Sequence, residues 1–410
     1  MAMLKMPRME AEEELIDRIS SLPDDVIGDI ISRLPSKEGG RLQVISSRWR
    51  HLWRSAPLNF NLHDGHPVPR RASAGEISRI LSAHLGSGRC FSIPIRYFER
   101  KDHLVANLDG WLRSPALDGL QALEFHYGVP SPRSPRPPLP TSVYRFSRSL
   151  RVASFGGCDF PDGSYAGALY LPVLTQLSLW HVRISESSLH AWLAGCSVLQ
   201  SLLLAYKTGC PRLRIMSPSL RSIGVDPGCG DLKLQKLIIE DAPNLERLLL
   251  FRDMATDISV ISAPKLGMLG RLRLTDDFPR LQFGTTVFQA STDGGENLPC
   301  EDYRDLVGTL DICLKKIVLT NYQGNESHVN FAKFFVLNAG VLESMMLDLQ
   351  GINVTSAWIE EQHRLLQLEN RASKVAQLDF VLDAPGRPLH LRRIESTHDL
   401  SMADPFARFL

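Results

Sequence analysis

One short pattern recurs along most of this chain, and it restricts the fold more than any other feature of the sequence. It consists of an apolar residue, two variable residues, a second apolar residue, one variable residue and a third apolar residue. Clear copies start at Leu120, Leu150, Leu174, Leu199, Leu220 and Leu245, so successive copies lie 30, 24, 25, 21 and 25 residues apart. A weaker copy starts at Leu266, with Arg271 at its third apolar position, and further copies start at Leu314, Leu342 and Val375.

This spacing is typical of a leucine-rich repeat, in which each unit supplies one short parallel strand and a return segment. Alternate residues of a strand point to the same side, so the apolar positions of successive units stack into one core. The sequence therefore predicts an α/β protein, a leucine-rich-repeat solenoid with parallel strands on its concave face. Three helices are expected to precede it.

Those helices are expected in residues 17–62. Apolar residues at helical spacing run from Val26 to Leu34, behind a first turn that contains Pro23. A later helix carries Trp49 and Trp53 on one side. A unit of about 45 residues is marginal for an independent core. It has more large apolar side chains than it can bury alone, which predicts that part of its surface docks on a partner protein.

The segment also resembles the F-box of plant proteins. The matching landmarks are Ser20 to Pro23, Asp24-Asp25-Val26, Ser32 to Pro35, and Ser47-Arg48-Trp49-Arg50 followed by Leu52-Trp53. The resemblance implies docking on the Skp-type adaptor of a cullin-RING ubiquitin ligase. The residues expected to form the adaptor-binding face are Leu22, Pro23, Ile27, Ile30, Leu34, Val44, Trp49 and Trp53. Gly39 and Gly40 depart from the family pattern and should weaken the second helix by about 1 kcal/mol each.

A second resemblance lies near the other end of the sequence. The segment from Cys313 to Leu347 resembles the FBD module of plant F-box proteins, which adds family identity and no chemistry. The expected organisation is a disordered segment (1–16), the F-box (17–62), a linker and cap (63–119), repeats (120–275) with a proline-rich insertion (129–142), a polar connector (276–304) and FBD-like repeats and helices (305–410).

The variable positions of the repeats predict the binding surface. Residues between the inward apolar positions should face the concave side of the sheet. Most are small or polar, but a cluster of larger side chains is expected to form an exposed substrate-binding patch. Its members are Trp180, Leu203, Arg247, Leu249 and Phe251. The alternative is that other segments cover this patch and make it core.

Composition restricts the remaining classes of function. The chain has 46 Lys and Arg against 45 Asp and Glu, a net charge of +1, which argues against general nucleic-acid binding. No apolar run is long enough for a signal sequence or a membrane helix, and the seven cysteines form no CxxC pair. A cytoplasmic or nuclear protein with reduced thiols is expected. Cys158 fits the turn position of a repeat, a structural role.

No catalytic motif, metal-ligand spacing or cofactor fingerprint occurs, so we expect neither an enzyme nor a cofactor. The favoured interpretation is the substrate-recognition subunit of a Skp-cullin-F-box ubiquitin ligase, with an unidentified protein as substrate. Two alternatives stay open. One is a repeat scaffold that engages no ligase, and the other is an F-box receptor that needs a small molecule to capture its target.

Overall fold

The computed structural model describes residues 21–34, 36–42, 44, 47–62, 73–93, 102–128, 136–162, 170–205, 210–226, 234–251, 256–274, 280–284, 286–288, 313–349, 352 and 354–382. Within these residues, three helices come first: α1 (Asp24–Arg33), α2 (Ser36–Leu42) and α3 (Ser47–Ser55). Pro23 precedes α1, and two aspartates in its first turn favour the positive end of the helix dipole. The Arg48 guanidinium pairs with Asp24 at 2.6 Å and joins the starts of α1 and α3.

Twelve of the described strands form a single sheet. Numbered in chain order, they are β1 (Leu58–Asn61), β2 (Gly88–Ile93), β3 (Ala122–His126), β4 (Val152–Gly156), β5 (Gln176–Trp180), β6 (Ser201–Ala205), β8 (Ser222–Asp226), β10 (Arg247–Leu250), β12 (Met268–Arg273), β15 (Lys316–Thr320), β16 (Ser344–Leu349) and β17 (Gln377–Leu382). Each pairs in parallel with its neighbours in that order. The predicted fold of N-terminal helices followed by a parallel repeat sheet is confirmed.

The registers show how the repeated pattern builds the core. The second apolar position of each unit lies beside its equivalent in the next strand, as Leu177 does beside Leu202 and Leu202 beside Ile223. These side chains are almost wholly buried. One continuous core therefore extends from Leu58 to Ala376, along the side of the sheet opposite its concave face.

The sheet starts earlier than the repeated pattern indicates. Residues predicted as linker and cap (63–119) contain α4 (Ala74–Ala83), β2 and α5 (Asp102–Leu112), and β1 comes from the end of the predicted F-box. Phe60 of β1 stacks on Phe91 of β2, with ring centroids 5.3 Å apart. The pattern missed this unit because Gly88 stands where the recognised copies have leucine or, in one case, valine, and a Cβ there would lie 2.7 Å from Leu117 Cα.

The weaker copy at Leu266 is completed by a bulge. Arg271 adopts a positive φ of 59°, and the register between β12 and β15 shifts between Leu269 and Leu272. Leu272 consequently pairs with Leu319 and is buried in the core. The third apolar position is thus filled one residue later than the spacing predicts.

The return segments are helical in some units and extended in others. The helices are α6 (Glu186–Ala194), α7 (Glu326–Asn338) and α8 (Ser356–Leu365), with 3₁₀ turns at Pro115–Leu117, Thr141–Phe146 and Leu368–Asn370. The extended returns form a second sheet of β7 (Arg212–Met216), β9 (Lys236–Asp241), β11 (Asp257–Val260), β13 (Leu281–Phe283) and β14 (Thr286–Phe288). Its order is β14-β13-β11-β9-β7, and only the β13–β14 pair is antiparallel.

The returns that contain proline are extended in this second sheet. In β7 the buried residues alternate with exposed ones, so Leu213 and Ile215 enter the main core. A sheet with one solvated face needs only this alternation. The strands are short and lie between the prolines, where the repeated motif gives no information about them.

Every predicted segment has some residues outside those described. Residues 1–16 lie wholly outside them, and so do 129–135 of the proline-rich insertion, 276–279, 285 and 289–304 of the polar connector, and 305–312 and 383–410 of the FBD-like segment. The described end of the insertion is ordered against the repeats, because Pro138 forms a bridge with Asp159. None of the described helices combines the length and apolarity needed to cross a membrane.

Candidate functional site

The three N-terminal helices have a small core of their own. It consists of Ile27, Ile31, Trp49 and Ala56, against which Leu22, Leu42, Leu52 and Trp53 pack while partly buried. Ile27 is fully buried and Trp49 is 6% exposed. Two residues predicted for the adaptor-binding face are therefore core residues, because they fill the space between α1 and α3 and have almost no surface to offer a partner.

Other apolar side chains of the same helices remain in solvent. Val26 and Ile30, one turn apart on α1, are 44% and 40% exposed, and Val44 after α2 is 87% exposed. Of the remaining predicted residues, Pro23 is exposed, and Leu22 and Leu34 are half-buried. Val26 was missing from the predicted face, although it belongs to the same apolar stripe. The helical period shows that this stripe exists but does not show which of its edges faces α3.

Trp53 was predicted on the adaptor-binding face, but it packs against His84 and α2 instead. Its ring meets the ring of His84 edge to face, with centroids 5.3 Å apart. It also lies against α2 so closely that a Cβ on Gly39 would be 2.9 Å from Trp53 Nε1. Trp53 therefore connects the N-terminal helices to the repeat array, and Gly39 leaves room for its ring.

His84 is buried at this junction. Its Nε2 lies 2.8 Å from the carbonyl oxygen of Ala56, while no hydrogen-bond partner faces its buried Nδ1. Burial lowers the pKa of His84 from its usual 6.5, and the bond to the Ala56 carbonyl opposes that effect in part. The Ala56 carbonyl needs a donor, so the neutral ring carries its proton on Nε2.

The backbone reinforces the junction. The amide groups of Leu85 and Gly86 both donate to the carbonyl oxygen of Arg54, at 2.9 and 3.0 Å. The side-chain amide of Asn59 donates to the carbonyl of Ser32. Gly86 is required because a Cβ there would lie 2.4 Å from the Ala56 carbonyl oxygen. Together with β1, these contacts fix the N-terminal helices on the first repeat.

The predicted substrate-binding patch is assembled as expected but is not exposed. Leu203, Leu249, Phe251 and Met268 form a cluster separate from the main core, flanked by partly buried Trp180 and Val318. Leu203 is 5% exposed, Leu249 1% and Phe251 3%. The prediction of three exposed anchors is wrong, since these side chains bury one another across neighbouring strands. These three side chains are therefore core residues, through contact with one another.

Trp180 and Arg247 keep part of their surface. The Arg247 side chain is 24% exposed, and its Nε donates to the Ser222 hydroxyl at 2.9 Å. Trp180 is half-buried at the end of β5. These two residues are what the concave face offers to a partner from the predicted patch.

Comparison with protein-family models matches three consecutive parts of the chain. The F-box domain matches residues 19–61, the repeats of the family described as FBD-associated F-box protein At5g56370 match residues 108–298, and the FBD family matches residues 305–347. The chain therefore has an F-box region, a leucine-rich-repeat region and an FBD region in that order. The resemblance predicted from the sequence is confirmed, with an F-box one or two residues shorter at each end than expected.

Curated relatives of this F-box protein occur in Arabidopsis thaliana. F-box/LRR-repeat protein At3g03360 is 28% identical over 228 residues, which cover 53% of this chain and 44% of that protein. Putative F-box/FBD/LRR-repeat protein At5g44950 is 28% identical over 275 residues, 65% of this chain and 59% of that protein. F-box/LRR-repeat protein At5g35995 is 30% identical over 199 residues, 46% of this chain and 40% of that protein. The chain thus spans about half the length of these relatives.

The last three strands of the main sheet, β15 to β17, have a more open concave face than the earlier repeats. Lys316, Gln377 and Asp379 are exposed there, and Met346 is 37% exposed beside half-buried Val318. Val318, Met346 and Asp379 lie in register on β15, β16 and β17. The sequence interpretation missed this surface because it followed the variable positions only as far as Phe251, although the same spacing continues into these strands.

Two of the described cysteines, Cys158 and Cys196, are buried. Cys158 is wholly buried in the main core, and burial raises the pKa of its thiol far above the usual range. Burial also raises the pKa of Cys196 to about 12. The described residues include no cluster of three or more His, Cys, Asp or Glu side chains that could hold a metal ion.

Proposed function

We propose that this F-box protein is the substrate-recognition subunit of a Skp-cullin-F-box ubiquitin ligase. Its F-box docks on a Skp-type adaptor, and its repeats hold a target protein for ubiquitination. The observation that carries the proposal is the exposure of Val26, Ile30 and Val44 on helices whose own core is already complete.

The exposed side chains have the character of a docking surface. Removing apolar area from water favours association with a partner. Arg50 and Arg54 on α3 are exposed and would form a polar rim around such a contact. The partly exposed predicted residues Leu22, Pro23 and Leu34 extend the same surface. Ile27 and Trp49 support it from inside, and Trp53 fixes it to the repeats.

The rigid junction suits a receptor that acts by position. Ubiquitin transfer between two bound proteins is accelerated when they are held in a fixed relation, and the receptor need not supply a reacting group. β1 belongs to both the F-box match and the repeat sheet. A target bound on the repeats would therefore be held at a defined position relative to the adaptor and the cullin-RING core.

For the target protein we propose the concave face of the sheet. Trp180 and Arg247 are the accessible members of the patch predicted from the sequence, and Leu203, Leu249 and Phe251 form its apolar support. The open surface around Val318 and Met346 extends it into the FBD region. Aromatic side chains and arginine are the commonest anchors of protein interfaces. Such a complex would assemble in the cytoplasm or the nucleus.

The adaptor contact can be tested with exposed residues alone. In Val26→Asp with Ile30→Asp, two carboxylates would enter the apolar interface, so we expect at least a hundredfold loss of affinity for a Skp-type adaptor, measured by calorimetry. The melting temperature should stay within a few degrees, because neither side chain belongs to the F-box core.

The matched control is Ile261→Asp with Val375→Asp. These residues are 54% and 73% exposed on the repeats, and the change in charge is the same. The control should bind the adaptor like the unchanged protein. If the unchanged protein binds no Skp-type adaptor, the chain is a repeat scaffold outside the ligase and the proposal fails. If both double variants bind equally well, the adaptor-binding surface lies elsewhere.

A further inference from the structure

A groove lies on the outer side of the repeats, where the helical returns give way to the second sheet. It has a volume of about 740 Å³ and is lined by Glu186, Ser187 and His190 of α6, Arg212 and Arg214 of β7, and Lys236 and Ile238 of β9. It is distant in the fold from the F-box surface, and it lies on the other side of the array from the concave sheet face. Neither proposed contact of the receptor uses it.

Positive charge is concentrated along one wall of the groove. Arg212 and Lys236 stand side by side in register on parallel strands, which are roughly 4.8 Å apart. Arg214 is two residues further along β7, on the same exposed side as Arg212. Like charges placed directly opposite each other destabilise a sheet. An anion bound between them would remove this repulsion.

The described neighbours neutralise this wall only in part. Arg212 and Lys236 form no ion pair within 4 Å with any described residue, and Glu186 on the opposite wall pairs with none of the three cations. Arg214 forms an ion pair with Glu240 at 3.7 Å, a separation longer than a hydrogen bond, so its guanidinium keeps its donors for a ligand. Asp257, in register with Lys236 on the far side, accepts the Arg280 amide instead.

The helix beside the groove is already capped and needs no ligand. The Ser185 hydroxyl accepts the Ser188 amide at 3.2 Å, and the Asp162 carboxylate accepts both serine hydroxyls at 2.6 and 2.8 Å. The His190 ring lies 2.7 Å from the Arg214 carbonyl oxygen and holds α6 against β7. The side chains that remain to recognise a ligand are the cations of the two strands.

The spacing of these cations indicates what the ligand looks like. Arg212 and Arg214 are alternate residues of a strand, about 6.6 Å apart, which is also the repeat of side chains in an extended peptide. Guanidinium groups bind carboxylates and phosphates through two parallel hydrogen bonds. Ile238, in register with Arg214, adds an apolar contact that a free inorganic anion could not use.

We propose that this groove binds an extended segment of a partner protein that has anionic side chains at alternate positions. The anions are carboxylates of aspartate or glutamate, or phosphates on serine or threonine. The proposal is independent of adaptor binding, since the groove shares no residue with the F-box.

The test uses the full chain and fluorescent decapeptides, with binding followed by anisotropy. Alternating glutamate and alanine should bind at least tenfold more tightly than alternating glutamine and alanine, and more tightly than five glutamates followed by five alanines. The affinity should fall as salt is raised from 50 to 300 mM, because the contacts are exposed charges. A peptide of alternating phosphoserine and alanine distinguishes carboxylate from phosphate as the preferred anion. If it binds more tightly than the alternating glutamate peptide, the groove prefers phosphate.

Two matched variants locate the site. Arg212→Gln with Arg214→Gln should lower the affinity for the alternating anionic peptides at least tenfold. Arg148→Gln with Arg151→Gln removes the same charge from exposed positions of an earlier repeat and should change the affinity less than twofold. The proposal would be overturned if the two variants lost the same affinity, or if Arg212→Gln with Arg214→Gln lost none. It would also be overturned if the peptide of five glutamates followed by five alanines bound as tightly as the alternating glutamate peptide. So would tighter binding of a single-stranded RNA decamer than of any of the peptides.

Discussion

The F-box and the repeat array bury their apolar residues in different ways. Among its described residues, the F-box has a core of four buried residues and leaves Val26, Ile30 and Val44 in solvent. The repeat array has one core that continues from Leu58 to Ala376, because each unit covers the apolar side of the next. The repeats also leave apolar residues such as Ile261 and Val375 in solvent, so exposure alone does not distinguish the two regions. We propose that a partner covers Val26 and Ile30, which lie one turn apart on α1, whereas the feature that marks the repeats is the charge of the outer groove.

The largest effect should come from removing the strand that both regions share. A chain of residues 57–410 keeps β1, whereas a chain of residues 73–410 loses Leu58 and Phe60 and uncovers Phe91. Loss of one large buried side chain costs about 3–5 kcal/mol, and an apolar sheet edge promotes aggregation. We expect the longer chain to be monomeric in size-exclusion chromatography and the shorter one to aggregate. Two monomeric chains would show that β1 belongs to the F-box alone.

The second comparison is between the cores of the two regions. Trp49→Ala should destabilise the F-box by about 3–5 kcal/mol, because it removes the largest of its four buried side chains. The repeats should keep their own unfolding transition. Calorimetry and limited proteolysis would show early cleavage within residues 24–55 and an unchanged main transition. A single transition shifted as a whole would mean that the two regions unfold together.

Two glycines sharpen the same comparison inside the F-box. Gly39→Ala should lower the melting temperature, because the new Cβ would lie 2.9–3.0 Å from the Trp53 ring, which is held against His84. Gly28→Ala in α1 has no atom within 4 Å of its Cβ and should raise stability by up to about 1 kcal/mol. Thermal unfolding of the two variants checks both signs. A gain in stability from Gly39→Ala would show that Gly39 only weakens α2, as expected from the sequence, and that the Trp53 ring does not need the space.

The smallest effect concerns pH at the junction. Burial lowers the pKa of His84 below 6.5, so the unfolded state takes up this proton more readily than the folded state. The stability contributed by the neutral ring is present above about pH 6.5 and decreases as pH falls below that value. The melting temperature of the F-box should therefore be lower at pH 5.5 than at pH 7.5, and His84→Gln should reduce this difference. An identical pH dependence in the variant would assign the effect to other groups.

The repeated pattern predicts the fold because its apolar positions are the positions whose side chains are buried in the core. Leu177, Leu202 and Ile223 are spaced as they are because they lie beside one another in the core. The pattern fails at two positions where the backbone conformation, and not the burial of a side chain, determines the residue. Gly88 interrupts it because Leu117 approaches too closely for a Cβ, and Arg271 interrupts it because a bulge delays the core position by one residue.

The candidate surfaces are less predictable, because exposure depends on what each element packs against. The sequence places Ile27 and Ile30 on one stripe, yet α3 covers only Ile27. The alternation of strands brings Leu203, Leu249 and Phe251 together correctly, but their mutual contact buries them. The outer groove could not be predicted, since Arg212 and Lys236 become neighbours only through pairing of β7 with β9.

The central claim is that the F-box docks on the adaptor through its exposed apolar residues while remaining fixed to the repeats. Hydrogen exchange of the full chain, with and without a Skp-type adaptor, tests this most directly. The account predicts slower exchange in residues 24–34 and 44–55 on addition of the adaptor, with unchanged exchange in β6, β8 and β10. Unchanged exchange in residues 24–34, together with new protection in β15 and β16, would contradict it.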